Sequence, residues 1–96
     1  MHVISRKKLR QFSQTHPEAQ SALDHWFRVA RRADWQSFAD VRRTFNTADF
    51  FHGKVIFDVG GNRYRIVAAI HYNRQKLYVR QVLTHQEYAR GGWQHD

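Results

Sequence analysis

The sequence predicts an α+β domain whose helices come first and whose strands come last. Between Ala19 and Ala30 the apolar residues recur at helical spacing, whereas from Lys54 onward they alternate along the chain. Gly60-Gly-Asn62 separates two of the alternating segments and supplies the residues that a tight hairpin turn needs. The predicted order β-α-α-(α)-β-β-β therefore places two to three N-terminal helices on one face of a mostly antiparallel sheet of about four strands, with a short helical turn at the C-terminus.

One strand and two helices are predicted in the first third of the chain. The β-branched run over 2–5 forms the strand, and Ser5 is expected to cap a helix that extends to about Thr15. Pro17, the single proline, suits the first turn of a second helix. The apolar stripe of that helix consists of Ala19, Leu23, Trp26, Phe27 and Ala30.

Helical patterning gives way to strand patterning in the middle of the chain. Ser37-Phe-Ala-Asp40 resembles a capping box and is expected to open a short helix toward Thr44. A connecting loop over 46–53 follows. The three predicted strands that come next span 54–59, 63–72 and 76–84. The segment 85–90 is expected to form one helical turn, before a polar tail that begins at Gly91-Gly92.

Strand alternation predicts how the side chains divide between the two faces of the sheet. With a two-residue turn at each hairpin, one apolar set lies under the helices. This set comprises Val55, Phe57, Val59, Tyr64, Ile66, Ala68, Ile70, Leu77, Val79 and Leu83. The opposite face then carries Lys54, Ile56, Asp58, Arg63, Arg65, Val67, Tyr78, Arg80, Val82 and Thr84.

The same alternation predicts a cluster of cations on that opposite face. Arg65 and Arg80 are expected to be near neighbours on adjacent strands, with Lys54 one strand further away. Asp58 is expected to hold one of the arginines in place. The second turn, Asn73-Arg-Gln75, decides this arrangement, because a three-residue loop would reverse the faces of the last strand.

The amino-acid composition indicates which kinds of molecule the protein is expected to bind. The chain of 96 residues has 16 Lys and Arg against 8 Asp and Glu, a formal net charge of +8. Such a balance favours nucleic acid first, an acidic protein second and a membrane surface third, with a generic solvated basic surface as the alternative. The length fits a single domain over 1–96. The absence of cysteine excludes disulfide and thiolate chemistry and favours a reducing cytosol, and no apolar run approaches a membrane span.

Two segments bring together residue types that can act on a phosphodiester. Phe57–Arg65 carries two arginines, and Val79–Tyr88 carries a third arginine followed by Thr-His-Gln-Glu-Tyr. The arginine fork binds phosphate oxygens and keeps its charge, histidine carries protons near neutral pH, and tyrosine can orient a hydroxyl or stack on a base.

These segments also resemble a known family. The run Val55-Ile-Phe-Asp-Val-Gly-Gly-Asn-Arg-Tyr-Arg65, followed by Tyr78-Val-Arg-Gln-Val-Leu-Thr-His-Gln-Glu-Tyr88, is similar to the HigB-type toxins of bacterial toxin–antitoxin modules. Those toxins belong to the wider group of RelE-like mRNA interferases. The similarity covers most of the chain and is densest from Trp35 onward. It implies a RelE-like fold and a cytoplasmic toxin that cleaves mRNA, usually on the translating ribosome.

The resemblance implies roles for particular residues. Arg65 and Arg80 match arginines that the family associates with the scissile phosphate, and His85 and Tyr88 match its C-terminal His and Tyr. Lys54 approximates a basic residue at the start of the first hairpin strand. The residue after the tyrosine departs from the family, because Ala89 stands where many relatives carry Asp.

The expected reaction needs neither a metal nor a cofactor. The 2′-OH of RNA serves as the nucleophile, and Arg65 and Arg80 are expected to stabilise the pentacoordinate phosphate. Which of His85 and Tyr88 acts as base and which as acid is open, and Tyr88 would act as base only if nearby cations lower its pKa. The remaining histidines form no H-x-x-x-H pair or other ligand set, so no metal site is predicted.

Further cations are expected to contact RNA or a protein partner. The candidates for RNA contact outside the centre are Arg63, Lys7, Lys8 and Arg10, and the cations of the second helix (Arg28, Arg31 and Arg32) could meet rRNA or an acidic antitoxin segment. The resemblance implies a cognate antitoxin, expected to be a helix-turn-helix protein, through which alone the toxin would meet operator DNA. Two alternatives are a non-catalytic RNA-binding module and a domain that binds only an acidic protein.

Overall fold

Five strands form one mixed sheet, and the computed structural model describes residues 1–95, with the backbone alone for the last of these. The strands are β1 (His2–Ile4), β2 (Asp49–Phe51), β3 (Lys54–Val59), β4 (Tyr64–His71) and β5 (Lys76–Thr84). The helices are α1 (Arg6–Thr15), α2 (Gln20–Arg32), α3 (Phe38–Thr44) and α4 (His85–Arg90), and short 3₁₀ turns cover Pro17–Ala19, Tyr72–Arg74 and Gly92–His95. The strand order is β1-β5-β4-β3-β2, in which only the β1–β5 pair is parallel.

The α+β class, with the first three helices ahead of the main hairpins, is confirmed, but the sheet has one strand more than expected. The segment 46–53, predicted to be a loop, contains β2, which pairs antiparallel with β3 from Asp49 opposite Ile56 to Phe51 opposite Lys54. A three-residue edge strand is too short to show an alternating pattern, so the sequence gives little sign of it. The predicted polar tail ends at residue 96, outside the described residues.

The helices cover one face of the sheet and bury the predicted apolar stripe. Leu23, Trp26 and Ala30 are buried, and the Trp26 ring packs edge-on against Phe57 with 5.2 Å between centroids. Phe27 is only partly buried and lies under the guanidinium of Arg6, whose Cζ is 4.1 Å from the ring centroid. The stripe thus fixes α2 on β3, on the side of the sheet that the alternation predicted.

Neither of the two predicted serine caps forms through its side chain. Ser5 precedes α1 and Ser37 precedes α3, yet neither side chain bonds a helix N–H. Ser5 has a left-handed backbone (φ 74°) that ends the strand and starts the helix directly. At α3 Asp40 Oδ2 accepts from the Gln36 N–H at 2.8 Å, one residue before the Ser37 N–H that a capping box would use.

A β-bulge at Arg80 divides β5 and overturns part of the predicted face assignment. Both hairpin loops hold four residues, since Val59 pairs with Tyr64 and His71 with Lys76, so the turns keep the alternation. The register then shifts between Val67 and Ala68, whose partners are Gln81 and Val79. Arg80 is the extra residue, and every later side chain of β5 changes face.

The residues after the bulge therefore lie opposite to their predicted faces. Leu83, expected under the helices, pairs with Arg65 and packs with Ile56 and Val67 on the other face. Val82 and Thr84, expected on that other face, pair with Ile66 and Tyr64 on the helix side. The predicted neighbourhood of Arg65 and Arg80 is wrong for the same reason, because Arg80 lies three residues before Leu83, about 10 Å along the strand.

The face without α1 to α3 is covered by the C-terminal segment. Trp93 is 6% exposed and packs on Ile56 and Val67, with Phe51, Leu83 and Tyr88 around it. Its indole N–H donates to the Tyr88 carbonyl at 2.9 Å. The predicted polar tail thus begins with a buried side chain that closes a second, smaller core.

Two glycines of the β3–β4 turn differ in how much space surrounds them. An added Cβ at Gly60 (φ +64°) would lie 2.8 Å from Cδ2 of Tyr64, whereas Gly61 (φ +61°) has open space around it. The left-handed backbone alone should cost Gly61→Ala about 1–2 kcal/mol of unfolding free energy. We expect Gly60→Ala to lose clearly more in urea denaturation, because Tyr64 is buried and bonded through its hydroxyl to Glu18. Equal losses in the two variants would contradict this.

Candidate active site

A buried arginine lies at the centre of the candidate site. Arg65 is 6% exposed, and its Nε lies 2.8 Å from Oδ1 of Asp58. The two residues are direct cross-strand partners in the β3–β4 hairpin, so the register of the hairpin creates this ion pair. The prediction that Asp58 holds an arginine is confirmed.

The turn of the hairpin supplies further acceptors to the same guanidinium. Asn62 accepts from Arg65 twice, through its carbonyl oxygen from Nη1 at 3.1 Å and through its side-chain Oδ1 from Nη2 at 2.6 Å. The Tyr64 carbonyl accepts from Nη1 at 3.2 Å. Asn62 has a left-handed backbone (φ 77°), which turns both of its oxygens toward Arg65. Sequence reasoning assigned Asn62 only to the turn and missed this contact, which the Asn-x-x-Arg spacing could have suggested.

His85 is placed by a capping box. The Thr84 hydroxyl accepts from the Glu87 N–H at 3.2 Å, and the Glu87 carboxylate accepts from the Thr84 N–H at 2.8 Å. These two bonds start α4 at His85, whose own N–H donates to the Arg63 carbonyl at 2.8 Å. The Thr and Glu of the Thr-His-Gln-Glu-Tyr sequence therefore fix the position of the histidine. Sequence reasoning did not assign that role, although the Thr-x-x-Glu spacing signals it.

The imidazole of His85 is exposed and touches the buried arginine. Its Nδ1 lies 3.3 Å from Nη2 of Arg65. The structure therefore brings Arg65 and His85 together, as expected, through a direct contact between the two side chains.

Tyr88 lies one turn along α4 from His85 and contacts the ring of Trp93 and the guanidinium of Arg65. Its ring stacks on Trp93 with 5.0 Å between centroids and 13° between planes, and Cζ of Arg65 lies 5.0 Å from its centroid. Burial raises the pKa of Tyr88 above its ordinary value, Asp49 and Asp58 act in the same direction, and Arg65 opposes them. The condition under which Tyr88 was expected to act as a base, a pKa lowered by cations, is therefore not met.

Residues 19–91 match the HigB toxin family, the RelE-like toxic component of a toxin–antitoxin system. The mRNA interferase toxin HigB of Escherichia coli strain K12 is 30% identical over 91 residues, which are 92% of this chain and 88% of that protein. An mRNA interferase HigB from Shigella flexneri matches with the same identity and coverage. The chain belongs to the HigB toxin family. The resemblance drawn from the two motifs is thereby confirmed.

The other predicted site residues of this HigB-family chain lie away from the centre. Lys54 is on the same face as Asp58 but four residues earlier on β3, about 13 Å away along the strand. Arg63 meets His85 through its backbone carbonyl, and its side chain is exposed. Arg80 is exposed at the bulge.

The cations of α1 do not form one surface. Lys7, Lys8 and Arg10 are all exposed. Lys8 faces β5, where its Nζ donates to the Arg80 carbonyl at 2.7 Å, whereas Arg10 lines a groove between α1 and α2. Adjoining hollows run along the outer edge of β5, from Arg80 and Lys8 to Leu83, the cross-strand partner of Arg65. Of the three α1 cations, Lys8 is thus the one placed beside the outer edge of β5.

Residues 1–95 contain neither a metal-ligand cluster nor a membrane-spanning helix. In that range no three His, Asp or Glu side chains are grouped as a metal site would need. Nor does any helix there have the length and apolar character needed to cross a bilayer.

The raised pKa of Tyr88 makes a prediction about alkaline stability. The unfolded chain loses the tyrosine proton near pH 10, before the folded chain does, so the stabilising effect is complete below that pH and is lost as the pH rises through the folded pKa. We expect the unfolding free energy of the wild type to fall more steeply as the pH rises above about 10 than that of Tyr88→Phe, which keeps the ring. Parallel curves in urea titrations would show that Tyr88 titrates normally.

Proposed function

We propose that this HigB-family toxin is an mRNA endoribonuclease that works on the translating ribosome in the cytoplasm. The observation that carries the proposal is an exposed imidazole, His85, in contact with a buried arginine, with Lys8 and Arg80 exposed along the outer edge of β5. The mRNA interferase names of its relatives support the same substrate class.

The proposed reaction uses the RNA itself as the nucleophile. The 2′-oxygen forms a bond to phosphorus as the bond from phosphorus to the 5′-oxygen breaks. The 2′-OH gives up its proton to water and the 5′-oxygen takes one from water, so the products are a 2′,3′-cyclic phosphate and a 5′-OH end. No metal or cofactor takes part, and the role of the protein is to position the phosphodiester and stabilise its developing charge.

The site residues divide into central and peripheral groups in this proposal. His85 approaches the scissile phosphate, and Tyr88, as a neutral phenol, orients the ribose hydroxyl. Arg80 and Lys8 receive the RNA backbone along β5. The outer RNA contacts are assigned to Lys54, Arg63, Lys7 and Arg10. Such exposed cations make binding strongly dependent on salt.

The partners follow from membership of a toxin–antitoxin family. A cognate antitoxin neutralises the toxin, and we propose that it is a helix-turn-helix protein that alone connects the toxin to operator DNA. A helix-turn-helix gene beside the toxin gene would support this.

Inducible expression in a bacterial host tests the enzymatic function. We expect wild type to arrest growth and to create new mRNA 5′ ends, and His85→Ala and Arg80→Ala to relieve both effects, with cleavage by His85→Ala reduced about 10²-fold or more. His25→Ala and Arg42→Ala are matched controls, since the two residues are exposed on α2 and α3, away from the site. They should behave as wild type.

Each contrary outcome points to a different alternative. Binding to ribosomes or RNA without new 5′ ends would overturn the enzymatic proposal in favour of an RNA-binding module. Failure to bind either would favour a domain that binds an acidic protein. Circular dichroism of each purified variant establishes that a lost effect is not a lost fold.

A further inference from the structure

The guanidinium of Arg65 has no N–H left for a substrate. An arginine side chain carries five N–H donors and no acceptor. In this structure Nε meets Asp58, Nη1 meets the carbonyls of Asn62 and Tyr64, and Nη2 meets Asn62 Oδ1 and His85 Nδ1, all between 2.6 and 3.3 Å. With 6% exposure, the group also presents almost no surface to solvent. For Arg65 to bind a phosphate directly through two of its N–H groups, several of these hydrogen bonds would have to break.

The contact with His85 determines where the imidazole proton lies. Because arginine can only donate, Nδ1 of His85 must accept and therefore carries no proton. In the neutral ring the proton is then on Nε2. The ring is exposed on α4, so this N–H is available to a ligand that enters from solvent.

We propose that Arg65 is a positioning residue that locks His85 as a neutral Nε2–H donor, and that His85 gives the phosphate a hydrogen bond rather than a proton. This inference rests on the proposed function. A ring that already carries its single proton on Nε2 has no lone pair there to accept another. As an imidazolium it would have to turn an N–H toward Nη2 of Arg65 and lose that contact. A neutral imidazole held in one tautomer by its surroundings is an established way to stabilise developing negative charge.

Residues of the β3–β4 hairpin hold both partners of the Arg65–His85 contact, which we call the lock. Asp58 and Asn62 hold the guanidinium, and the bond from the His85 N–H to the Arg63 carbonyl holds α4 against the same turn. Arg65 thus transmits the geometry of the β3–β4 turn to the imidazole. In this arrangement the charge of Arg65 is balanced by Asp58, and its effect on the reaction passes through His85.

The tautomer can be measured directly on the free protein. ¹⁵N-histidine labelling with long-range ¹H–¹⁵N correlation distinguishes the Nε2–H ring, the Nδ1–H ring and the imidazolium. We expect His85 to be the Nε2–H form at neutral pH in wild type, and a mixture in Arg65→Lys. Asn62→Gly is a second variant, exposed and outside the buried pair, and it should loosen the lock partially. An Nδ1–H ring or an imidazolium in wild type would overturn the proposal, whether or not the protein cleaves RNA.

Cleavage assays separate a hydrogen-bond donor from a proton donor. Glutamine keeps an N–H near the Nε2 position but cannot shuttle a proton, so His85→Gln should retain much more activity than His85→Ala, which should lose about 10²–10³-fold in kcat. A 5′-bridging phosphorothiolate at the mapped cleavage site has a leaving group that needs no proton. We expect it not to rescue His85→Ala on programmed ribosomes. Rescue to the wild-type rate would assign His85 as the general acid and refute the inference.

The kinetics of Arg65→Lys provide the last distinction. Because Arg65 does not contact substrate in this proposal, kcat should fall while KM for the programmed ribosome stays within about twofold. A raised KM with the Nε2–H ring retained would instead place Arg65 on the phosphate. If the wild type cleaves neither the ordinary mRNA nor the phosphorothiolate mRNA, the proposed function is refuted. The NMR result would still decide whether Arg65 holds His85 in the Nε2–H form.

Discussion

The ion pair between Arg65 and Asp58 is the contact on which the geometry of the site depends. A buried guanidinium is costly unless its charge and its N–H groups are satisfied, and here both conditions are met within one hairpin. Asn62 and Tyr64 complete the set from the turn, so loss of any one acceptor would leave a buried donor unpaired. The arginine can therefore take only one orientation, and this orientation fixes the positions of the side chains that contact it.

The bulge at Arg80 builds the other side of the site. By moving Leu83 to the face of Arg65, it adds an apolar surface on which Tyr88 and Trp93 pack. Without the shift Val82 would stand opposite Arg65, and the larger Leu83 side chain would lie on the helix side instead of beside Ile56 and Val67. The same irregularity moves Arg80 away from Arg65. One inserted residue thus separates a rigid centre from an exposed cation at the edge of β5.

Much of the fold and part of the site could be predicted from the sequence, since helical stripes, alternation and the Gly-Gly-Asn turn are local patterns. The pairing of Asp58 with Arg65 followed from alternation alone, because a turn of even length preserves it. The bulge could not be predicted in this way, because no residue type demands it and the pairing with β4 decides its place. Nor could the full surroundings of Trp93, because Leu83, which packs beside it, reaches that face only through the bulge.

The charges of the site divide between a buried and an exposed set, and the two sets suit different tasks. The charge of Arg65 is compensated at 2.8 Å by Asp58, and Asp49 and Asp58 both act on Tyr88, so the centre offers a polyanion little net attraction. Attraction over a distance must therefore come from the exposed cations, such as Arg80 and Lys8, whose field reaches into solvent and is screened by salt. A buried, compensated arginine instead keeps its neighbours in place at any ionic strength. In the proposed reaction, whose nucleophile belongs to the RNA, orientation at the phosphate is what the protein would have to supply.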